Sequence, residues 1–497
     1  MDKENRVFEK YQKKYEKNQQ AYHLEWAYAH FIVDPKGIKQ YRQELMKILN
    51  LSASDMTSLT SKNFHHIFGD IDDYPIIPRP YSHITNHIIK NEDPNNPYNV
   101  ITQTPEFMKK LMGLFQYGVD VQPIEKNTTY IHHHNRYVHS LDTACNIELI
   151  MRNNSFSEEE IKKAIIACCL HDVATPVFGD LTMKAFPKLK EENGFSEYMS
   201  YYPERVAEIE KTFDLSITEL HSWIKNQGII GKILDVADRL AYTARDVFSV
   251  HNSTKLKYQQ DDSSEKTIGD IIRKDPYMFD IMMEISVKDD QIVFENSERL
   301  KNILCIRANM HNLIYLNPYL WTREEYFWLI LQYLVEEGYL TLEQLQKWVN
   351  DEWLFINEFI INKLYREGII DYDPVVTHDF FDVNIYENKE DAIARIKELK
   401  KDMSPEIPVH YLKTPAFKPG THYLVRDNWV IKPLAESMKP EELAHLNALS
   451  QATNKHLVLY PKKEYHNNHK THPKLYAFLS RKADEEYKKL ISKQLLG

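Results

Sequence analysis

Glycine is scarce in this chain and never clusters, which limits the folds that the chain can adopt. The sequence has 13 glycines in 497 residues, and the closest pair is Gly228 and Gly231. The glycine-rich phosphate loops G-x-G-x-x-G and G-x-x-x-x-G-K-[ST] occur nowhere in it. The sequence therefore argues against the dinucleotide-binding and P-loop folds, and any phosphate chemistry must rely on side chains and metal.

The charge balance argues against nucleic acid as the main ligand. Lys and Arg total 62 and Asp and Glu total 72, so the formal net charge is −10. A protein that neutralises many nucleic-acid phosphates usually has a basic surface instead. A small anionic substrate remains compatible, because the positive charge that it needs is local.

Cysteine spacing and apolar runs predict a soluble, cytoplasmic protein. Cys145, Cys168, Cys169 and Cys305 show no C-x-x-C spacing, so neither a structural zinc site nor a redox motif is expected. The charged amino terminus lacks the apolar stretch of a signal peptide. The longest apolar run, 326–335, falls far short of the roughly 20 residues of a membrane span, so no membrane partner is predicted.

Apolar periodicity predicts a mostly α-helical fold. Residues recur at helical spacing through much of the chain, with later helices expected near 203–213, 230–250, 297–316, 323–337 and 342–366. Beyond about 371 the pattern changes, and two strand-like runs flank Arg426-Asp427-Asn428 as in a hairpin. The sequence thus divides into a helical region, a main helical domain and a small α+β lobe, over 1–99, 100–370 and 371–497.

Four potential metal ligands come from three separate segments. His139 lies in a predicted helix, and Asp238 lies in a later one. His171 and Asp172 stand side by side where an apolar helix is predicted to end. Two imidazoles and two carboxylates suit Mn²⁺, Fe²⁺, Mg²⁺ or Zn²⁺ and leave coordination positions for water and substrate. These four residues are therefore predicted to bind a divalent metal.

The same segments resemble the HD-domain phosphohydrolases, and among them the deoxynucleoside triphosphate triphosphohydrolases. Residues 104–107, TPEF, with 115–118, FQYG, are similar to the lead-in of that family. Residues 134–141, HNRYVHSL, resemble its HxRFEHSL, and 171–180, HDVATPVFGD, resemble its HDxGxPPFGH. The resemblance spans about 100–320 and implies an HD-domain helical core, with the small α+β lobe following it.

Two predicted helices carry polar residues at every fourth position. Asp238, Tyr242 and Asp246 form one series, which places them on one helix face. A second series on a later helix consists of Arg307, His311 and Tyr315. Both series resemble helices of the triphosphohydrolases.

That resemblance implies a substrate-binding role for these side chains. It implies that three arginines contact the triphosphate: Arg136, Arg239 and Arg307. It further implies that Gln116, Tyr242 and Asp246 contact the deoxyribose and its 3′-hydroxyl, and that Tyr117 and His311 also belong to the substrate-binding residues. Tyr315 would pack where a 2′-hydroxyl would otherwise sit.

The sequence departs from the family pattern at Asp180 and Thr175. Asp180 stands where the family motif ends in a catalytic His, and Thr175 stands where some members have a further His. Asp180 could protonate a leaving 5′-oxygen only if its pKa rises toward neutrality; alternatively, it could hold a second metal. The predicted catalytic residues are therefore Asp172, Asp180 and Thr175, with slower, altered or conditional turnover.

The hypothesis from the sequence is metal-dependent hydrolysis of deoxynucleoside triphosphates to deoxynucleoside and inorganic triphosphate. The resemblance also implies a homotetramer or hexamer with an allosteric nucleotide effector, and some relatives restrict viruses by depleting deoxynucleotides. Two alternatives stay open. One is an HD nuclease or phosphodiesterase acting on nucleic acid or a signal nucleotide, and the other is a non-catalytic nucleotide-sensing module.

Overall fold

The computed structural model describes residues 95–112, 114, 121–125, 128–131, 136–252, 278–347, 380–467, 470 and 472–495. Helices form most of this part of the chain, which confirms the predicted mostly α-helical class. The first helices are α1 (Asn99–Thr102), α2 (Pro105–Met112), α3 (Arg136–Asn153), α4 (Glu158–Leu170), α5 (Asp180–Ala185), α6 (Glu191–Met199), α7 (Pro203–Phe213), α8 (Ile217–Ile224) and α9 (Gly228–Asn252). The later helices are α10 (Ser297–Met310), α11 (Pro318–Glu336), α12 (Leu342–Lys347), α13 (Lys389–Asp402), α14 (Pro440–Ala452) and α15 (Pro473–Leu495). Within the described ranges, no helix is long and apolar enough to cross a membrane.

The strands fall into three groups. They are β1 (Val121–Glu125), β2 (Thr128–Ile131), β3 (Ile285–Lys288), β4 (Gln291–Phe294), β5 (Phe381–Tyr386), β6 (His410–Lys413), β7 (Leu424–Asp427), β8 (Val430–Pro433) and β9 (His456–Pro461). Strands β1 and β2 pair with each other, and β5, β9 and β6 form an antiparallel sheet in that order. Strands β3, β4, β7 and β8 hydrogen-bond in sequence, and β4 runs parallel to β7. The predicted α+β lobe is therefore present, but its β7–β8 hairpin extends a sheet that starts in the main helical domain.

The turn of that hairpin differs from the predicted one. Arg426 and Asp427 belong to β7, and the turn is formed by Asn428 and Trp429. Both turn residues have positive φ, 48° and 68°, as the tight hairpin turn that matches strand twist requires. The pair β3–β4 was missed altogether, because each strand has only four residues and the mixed composition gives little alternation.

Helices α3, α4 and α9 form the centre of the larger core. Nearly all of α3 is buried, polar side chains included, so it is enclosed by other elements rather than lying on the surface. Helix α4 starts at a capping box in which the Ser157 side chain accepts from the Glu160 amide and the Glu160 carboxylate accepts from the Ser157 amide. The predicted end of this helix is confirmed, because His171 follows directly after its last turn.

Buried hydrogen bonds and a salt bridge connect helix α9 to α3. The Asn146 amide donates to the carbonyl of Ala237 at 3.0 Å, next to the predicted ligand Asp238. Arg245 forms a bidentate pair with Asp142, with N–O distances of 2.6 and 3.2 Å. Because such pairs fix two hydrogen bonds at once, they hold the two helices in a defined register. The register places the ligand-bearing turns of α3 and α9 against each other.

The helix predicted over 297–316 is not regular to its end. Helix α10 stops at Met310, and residues His311–Tyr315 form a π-helical turn. A π-helical turn has more residues per turn than an α-helix and often occurs at functional sites. The even four-residue spacing assumed from the sequence therefore holds only up to His311.

A partly buried ion pair connects α5 to α11. Lys184 Nζ lies 3.2 Å from Glu325 Oε2, and Glu325 is 1% exposed. The same ammonium group lies over the rings of Trp321 and Trp328. Burial raises the pKa of Glu325 to about 7; the nearby Glu486 acts in the same direction, while Lys184 and His410 oppose it. The charge of Glu325 therefore changes in the physiological range.

We expect E325Q to remove a pH dependence of stability. Between about pH 4.5 and 7 the folded protein keeps a proton on Glu325 that the unfolded chain has released, so the unfolding free energy falls as pH rises. The difference in unfolding free energy, E325Q minus wild type, should therefore increase by about 2 kcal/mol between pH 5.5 and pH 8. Urea unfolding of both proteins at the two pH values measures this change, and parallel profiles would contradict it.

Candidate metal centre

Three of the predicted ligands meet where α3, the end of α4 and α9 converge. His139 Nε2 lies 2.8 Å from Asp238 Oδ1, and His171 Nε2 lies 3.7 Å from the same oxygen. One ligand atom from each of these three residues lies within 4.8 Å of the others. Both histidines are buried, at 1% and 8% exposure, whereas the Asp238 side chain is 29% exposed. The cluster is thus closed on the helix side and open toward solvent at Asp238.

Asp172 divides its two oxygens between different partners. Its Oδ1 accepts from Arg136 Nη1 at 2.6 Å and from the Thr175 hydroxyl at 3.3 Å. Its Oδ2 lies 3.5 Å from His171 Nε2 and 3.8 Å from His139 Nε2. One oxygen therefore anchors the side chain, and the other faces the two imidazoles.

The donor set fits a divalent cation. Asp172 Oδ2 is buried and accepts no hydrogen bond from any described residue, although it faces both histidines. A buried carboxylate oxygen without a hydrogen bond is costly, and a cation bound between it and the imidazoles would satisfy it. His139, His171, Asp172 and Asp238 could together hold such an ion with nitrogen and oxygen ligands.

The backbone orients one imidazole for this role. His171 Nδ1 donates to the carbonyl of Cys168 at 2.6 Å, which leaves Nε2 as the nitrogen that faces the carboxylates. A hydrogen bond at the far ring nitrogen is the usual way in which a protein fixes the orientation of a ligating histidine. The two rings meet edge to face, with centroids of His139 and His171 5.3 Å apart.

Electrostatics make the cluster attractive to cations. Burial alone would raise the pKa of Asp238, but hydrogen bonds and charge from His139 and His171 hold it well below its usual range. The pKa of Asp172 is likewise lowered, because Arg136 and the histidines outweigh the effect of burial. Burial would lower the pKa of His171, yet the two carboxylates raise it to about 9. Both carboxylates therefore stay ionised at neutral pH.

Asp180 lies beside the cluster rather than within it. It is the first residue of α5, and its side chain is 67% exposed. Its Oδ1 lies 3.4 Å from Arg136 Nη2, so this arginine bridges Asp172 and Asp180. Although the side chain reaches solvent, the surrounding protein desolvates the carboxyl and, with the charge of Asp172, raises its pKa against the effect of Arg136. The direction is the one that a proton donor requires.

The turn before Asp180 has an unusual backbone. Phe178 and Gly179 both have positive φ, 64° and 55°, and Phe178 is buried at 2% exposure. A bulky residue in the left-handed region costs free energy and persists only where packing enforces it. Val177 and Phe178 pack in a second, smaller hydrophobic core that also contains residues of α11 and the carboxy-terminal lobe. This packing therefore fixes where α5 begins, and with it the position of its first residue, Asp180.

The two predicted residue series face each other next to the cluster. Arg307 donates to the Tyr242 hydroxyl, and the Tyr315 hydroxyl donates to Asp246. The rings of Tyr242 and Tyr315 meet edge to face at 6.5 Å, and His311 lies 4.9 Å from Tyr315. Tyr242 and Asp246 are one and two turns along α9 from Asp238. The polar face of α9 therefore runs from the metal cluster to a group of tyrosine, arginine and histidine side chains that contact one another.

Of the other predicted site residues, Thr175 and Arg239 lie among the described residues, and Gln116 and Tyr117 do not. Thr175 is fully buried and contacts Asp172, while Arg239 is held by Asp235 at 2.8 Å and by the hydroxyl of Tyr423 at 3.1 Å.

Sequence reasoning missed two aromatic residues at this site. Phe417 stacks on His311 with centroids 4.2 Å apart, and Tyr423 accepts the hydrogen bond from Arg239. Both come from the carboxy-terminal region, more than one hundred residues after the helix that Phe417 contacts. No local motif marks them, and contacts distant in sequence, such as the pairing of β4 with β7 and the hydrogen bond from Asn312 to Leu449, bring their segment to the site.

Comparison with known proteins identifies the domain to which the cluster belongs. The HD-domain family profile matches residues 136–243, which carry His139, His171, Asp172 and Asp238. This chain therefore contains an HD domain, and the histidine–aspartate cluster lies within it.

Solved structures share the fold at low sequence identity. A hypothetical protein from Aquifex aeolicus superposes with a TM-score of 0.54 and 16% identity, covering 77% of this chain and 98% of its own. A phosphohydrolase from Bacteroides thetaiotaomicron VPI-5482 gives a TM-score of 0.51 and 15% identity, covering 73% of this chain and 95% of its own. No curated protein sequence matches the chain significantly. The similarity extends well beyond the residues matched by the HD-domain profile.

Proposed function

We propose that this protein is a metal-dependent phosphohydrolase that cleaves deoxynucleoside triphosphates to deoxynucleoside and inorganic triphosphate. The observation that carries the proposal is the continuity of two sites along α9. Asp238 belongs to the metal cluster, and Tyr242 and Asp246 on the next two turns contact Arg307 and Tyr315. A phosphate at the cluster would leave the attached nucleoside beside aromatic and hydrogen-bonding side chains. The structurally similar protein from Bacteroides is a phosphohydrolase, which supports the same class of reaction.

The residues of the chain have distinct roles in this proposal. His139, His171, Asp172 and Asp238 would hold the cation, which when bound supplies Lewis-acid polarisation of phosphoryl oxygen and a lowered pKa of water. Arg136, fixed by Asp172 at 2.6 Å, places positive charge beside the scissile phosphate and offsets the negative charge that develops there. Thr175 orients Asp172 through its hydroxyl.

Asp180 would protonate the leaving 5′-oxygen. It lies on the open side of the cluster, and desolvation and the charge of Asp172 raise its pKa, which is the direction that a proton donor requires. Arg136 contacts it at 3.4 Å and can keep it directed toward the phosphate. The role replaces the histidine that the related motif carries at this position.

Asp246 and Tyr315 would select deoxyribose over ribose. Their mutual hydrogen bond places a carboxylate and a phenol ring together, where the carboxylate can accept from a sugar hydroxyl. A ring packed against the 2′ carbon leaves no room for a second hydroxyl. The homo-oligomeric state, the nucleotide effector and a role in antiviral defence belong to the same proposal and follow from the family resemblance.

We expect purified protein to release inorganic triphosphate from at least one deoxynucleoside triphosphate. Each of the four substrates is incubated with Mn²⁺, Mg²⁺, Fe²⁺ or Zn²⁺, and the products are separated by anion exchange. The same assays are repeated with a second nucleotide as activator. The matched control is the double variant H171A/D172A, which should release none.

Other products would favour the alternatives. Cleavage of single-stranded DNA or RNA without triphosphate release indicates a nuclease. Nucleotide binding with no product in any of these mixtures indicates a sensing module, and either result overturns the proposal.

A further inference from the structure

Two aromatic residues from the carboxy-terminal region hold the arginines of the proposed triphosphate site. The Tyr423 hydroxyl accepts from Arg239 Nη1 at 3.1 Å. The Phe417 ring lies 5.4 Å from the guanidinium carbon of Arg307, and its centroid lies 4.2 Å from that of His311. Neither aromatic residue lies within the 136–243 segment matched by the HD-domain profile.

Phe417 is fixed in place by helix α14. Its amide donates to the Thr453 hydroxyl at 2.8 Å, and its carbonyl accepts from the Ser450 hydroxyl. The Asn312 amide, in the π-helical turn, donates to the carbonyl of Leu449 at 2.8 Å. The helix that carries the Phe417 contacts is therefore bonded directly to the turn that carries His311. Phe417 itself is 5% exposed, so its ring has little freedom to move.

Tyr423 is fixed by a tight turn and by the mixed sheet. Gly420 has φ of +73°, and a Cβ atom there would lie 2.7 Å from the Tyr423 ring. The ring also packs against Phe294, at a centroid distance of 5.6 Å. Strand β7 begins at the next residue, and Leu424 pairs with Val293 of β4. The backbone on both sides of Tyr423 is thus anchored to the main domain.

These contacts restrain side chains that are otherwise long and mobile. Arg239 has Nη2 on Asp235 at 2.8 Å and Nη1 on Tyr423, while its side chain stays 38% exposed and open to a ligand. Arg307 has its guanidinium carbon 5.5 Å from the Tyr242 ring and 5.4 Å from the Phe417 ring. A guanidinium held before binding loses less conformational entropy when it meets a phosphate.

We propose that Tyr423 and Phe417 are positioning residues that orient Arg239 and Arg307 toward the triphosphate. This inference rests on the proposed function, because the two arginines matter here as phosphate ligands. It makes the carboxy-terminal region part of the substrate site, although every metal ligand lies in the HD domain.

The test for Tyr423 is a double-mutant cycle with Arg239. Y423F removes one hydroxyl and should raise KM for the deoxynucleoside triphosphate about 5-fold, with kcat within about 2-fold, because one hydrogen bond to a charged group is lost. In an R239K background the same change should have less than about a 1.5-fold effect, because Tyr423 acts through Arg239. A matched control is Y411F, which removes the hydroxyl that contacts His456 in the separate sheet.

The corresponding test for Phe417 compares F417L with F417Y. F417L removes the aromatic face from Arg307 and His311 and should raise KM by about 5-fold, whereas F417Y keeps a ring and should recover most of this loss. Melting temperatures of all variants show whether the fold is retained. An unchanged KM in both Y423F and F417L, or equal effects of Y423F in both Arg239 backgrounds, overturns the proposal.

Binding of inorganic tripolyphosphate separates this inference from the proposed function. If wild type hydrolyses no deoxynucleoside triphosphate, the proposed function fails. Titration calorimetry with tripolyphosphate then still tests the positioning role, since Y423F should weaken binding about 5-fold only when Arg239 is present. Tripolyphosphate affinity that is absent in wild type or unchanged in Y423F overturns the inference.

Discussion

The D238N variant is expected to lose turnover by roughly 10³-fold or more, because it removes a negative charge that a divalent cation needs. Asp238 Oδ1 is the oxygen that approaches both His139, at 2.8 Å, and His171, at 3.7 Å. An amide of the same shape keeps the packing but attracts a cation far less strongly. Initial rates of triphosphate release at saturating Mn²⁺ measure the loss.

Thermal unfolding supplies a second measurement for D238N. Ligand binding to the native state raises the melting temperature, so Mn²⁺ should stabilise wild type and leave D238N nearly unchanged. D214N is the matched control, since Asp214 has a side chain that is 99% exposed and lies on a different segment. Retention of more than a tenth of the wild-type rate, or an equal Mn²⁺ shift in both proteins, would remove Asp238 from the ligand set.

The second large effect is expected for D180N, with a fall in kcat of about 10²- to 10³-fold and little change in KM. The amide oxygen can still accept from Arg136, which lies 3.4 Å away in wild type, so the contact is kept while the titratable proton and the negative charge are lost. D180E and D180H restore such a proton and should recover part of the rate. Single-turnover kinetics with saturating enzyme isolate this step from product release.

A poorer leaving group should make the D180N defect larger. If Asp180 protonates the 5′-oxygen, a substrate analogue whose leaving group has a low pKa needs little protonation and should be cleaved by D180N nearly as fast as by wild type. Activated phosphodiesters or phosphomonoesters with a nitrophenol leaving group serve this purpose. An equal loss on both types of substrate would mean that Asp180 acts by positioning rather than by proton transfer.

The helical core and its ligand cluster could be predicted from the sequence because their signals are local. The capping box at Ser157 and the apolar run behind it define α4, and the His171-Asp172 pair stands at its end. Asp238 lies on a long amphipathic helix, so its face follows from spacing. Helix α3 is buried on nearly every side, so His139 is marked by the segment HNRYVHSL rather than by periodicity.

The remaining parts of the site depend on contacts that are distant in sequence. Tyr423 meets Arg239 across 184 positions, and Lys184 meets Glu325 across 141. Neither pair leaves a pattern in its own segment. The π-helical turn at His311–Tyr315 was missed for another reason, because its composition is the same as that of an ordinary helix end. The departure at Asp180 was visible, but its 67% exposure and its bond to Arg136 required the folded backbone.

The parallel pairing of β4 with β7 has a consequence for where this protein can be cut. Val293 and Phe294 in β4 are buried, at 0% and 2% exposure, and β7 supplies the hydrogen-bonding neighbour on that side. A fragment that ends near residue 370, as the composition of the chain would suggest, leaves β4 as an open edge with apolar side chains beside it. Open edges of this kind recruit strands from other molecules, so such a fragment is prone to aggregate. The useful unit for expression is therefore one that retains the hairpin, even when only the HD domain is of interest.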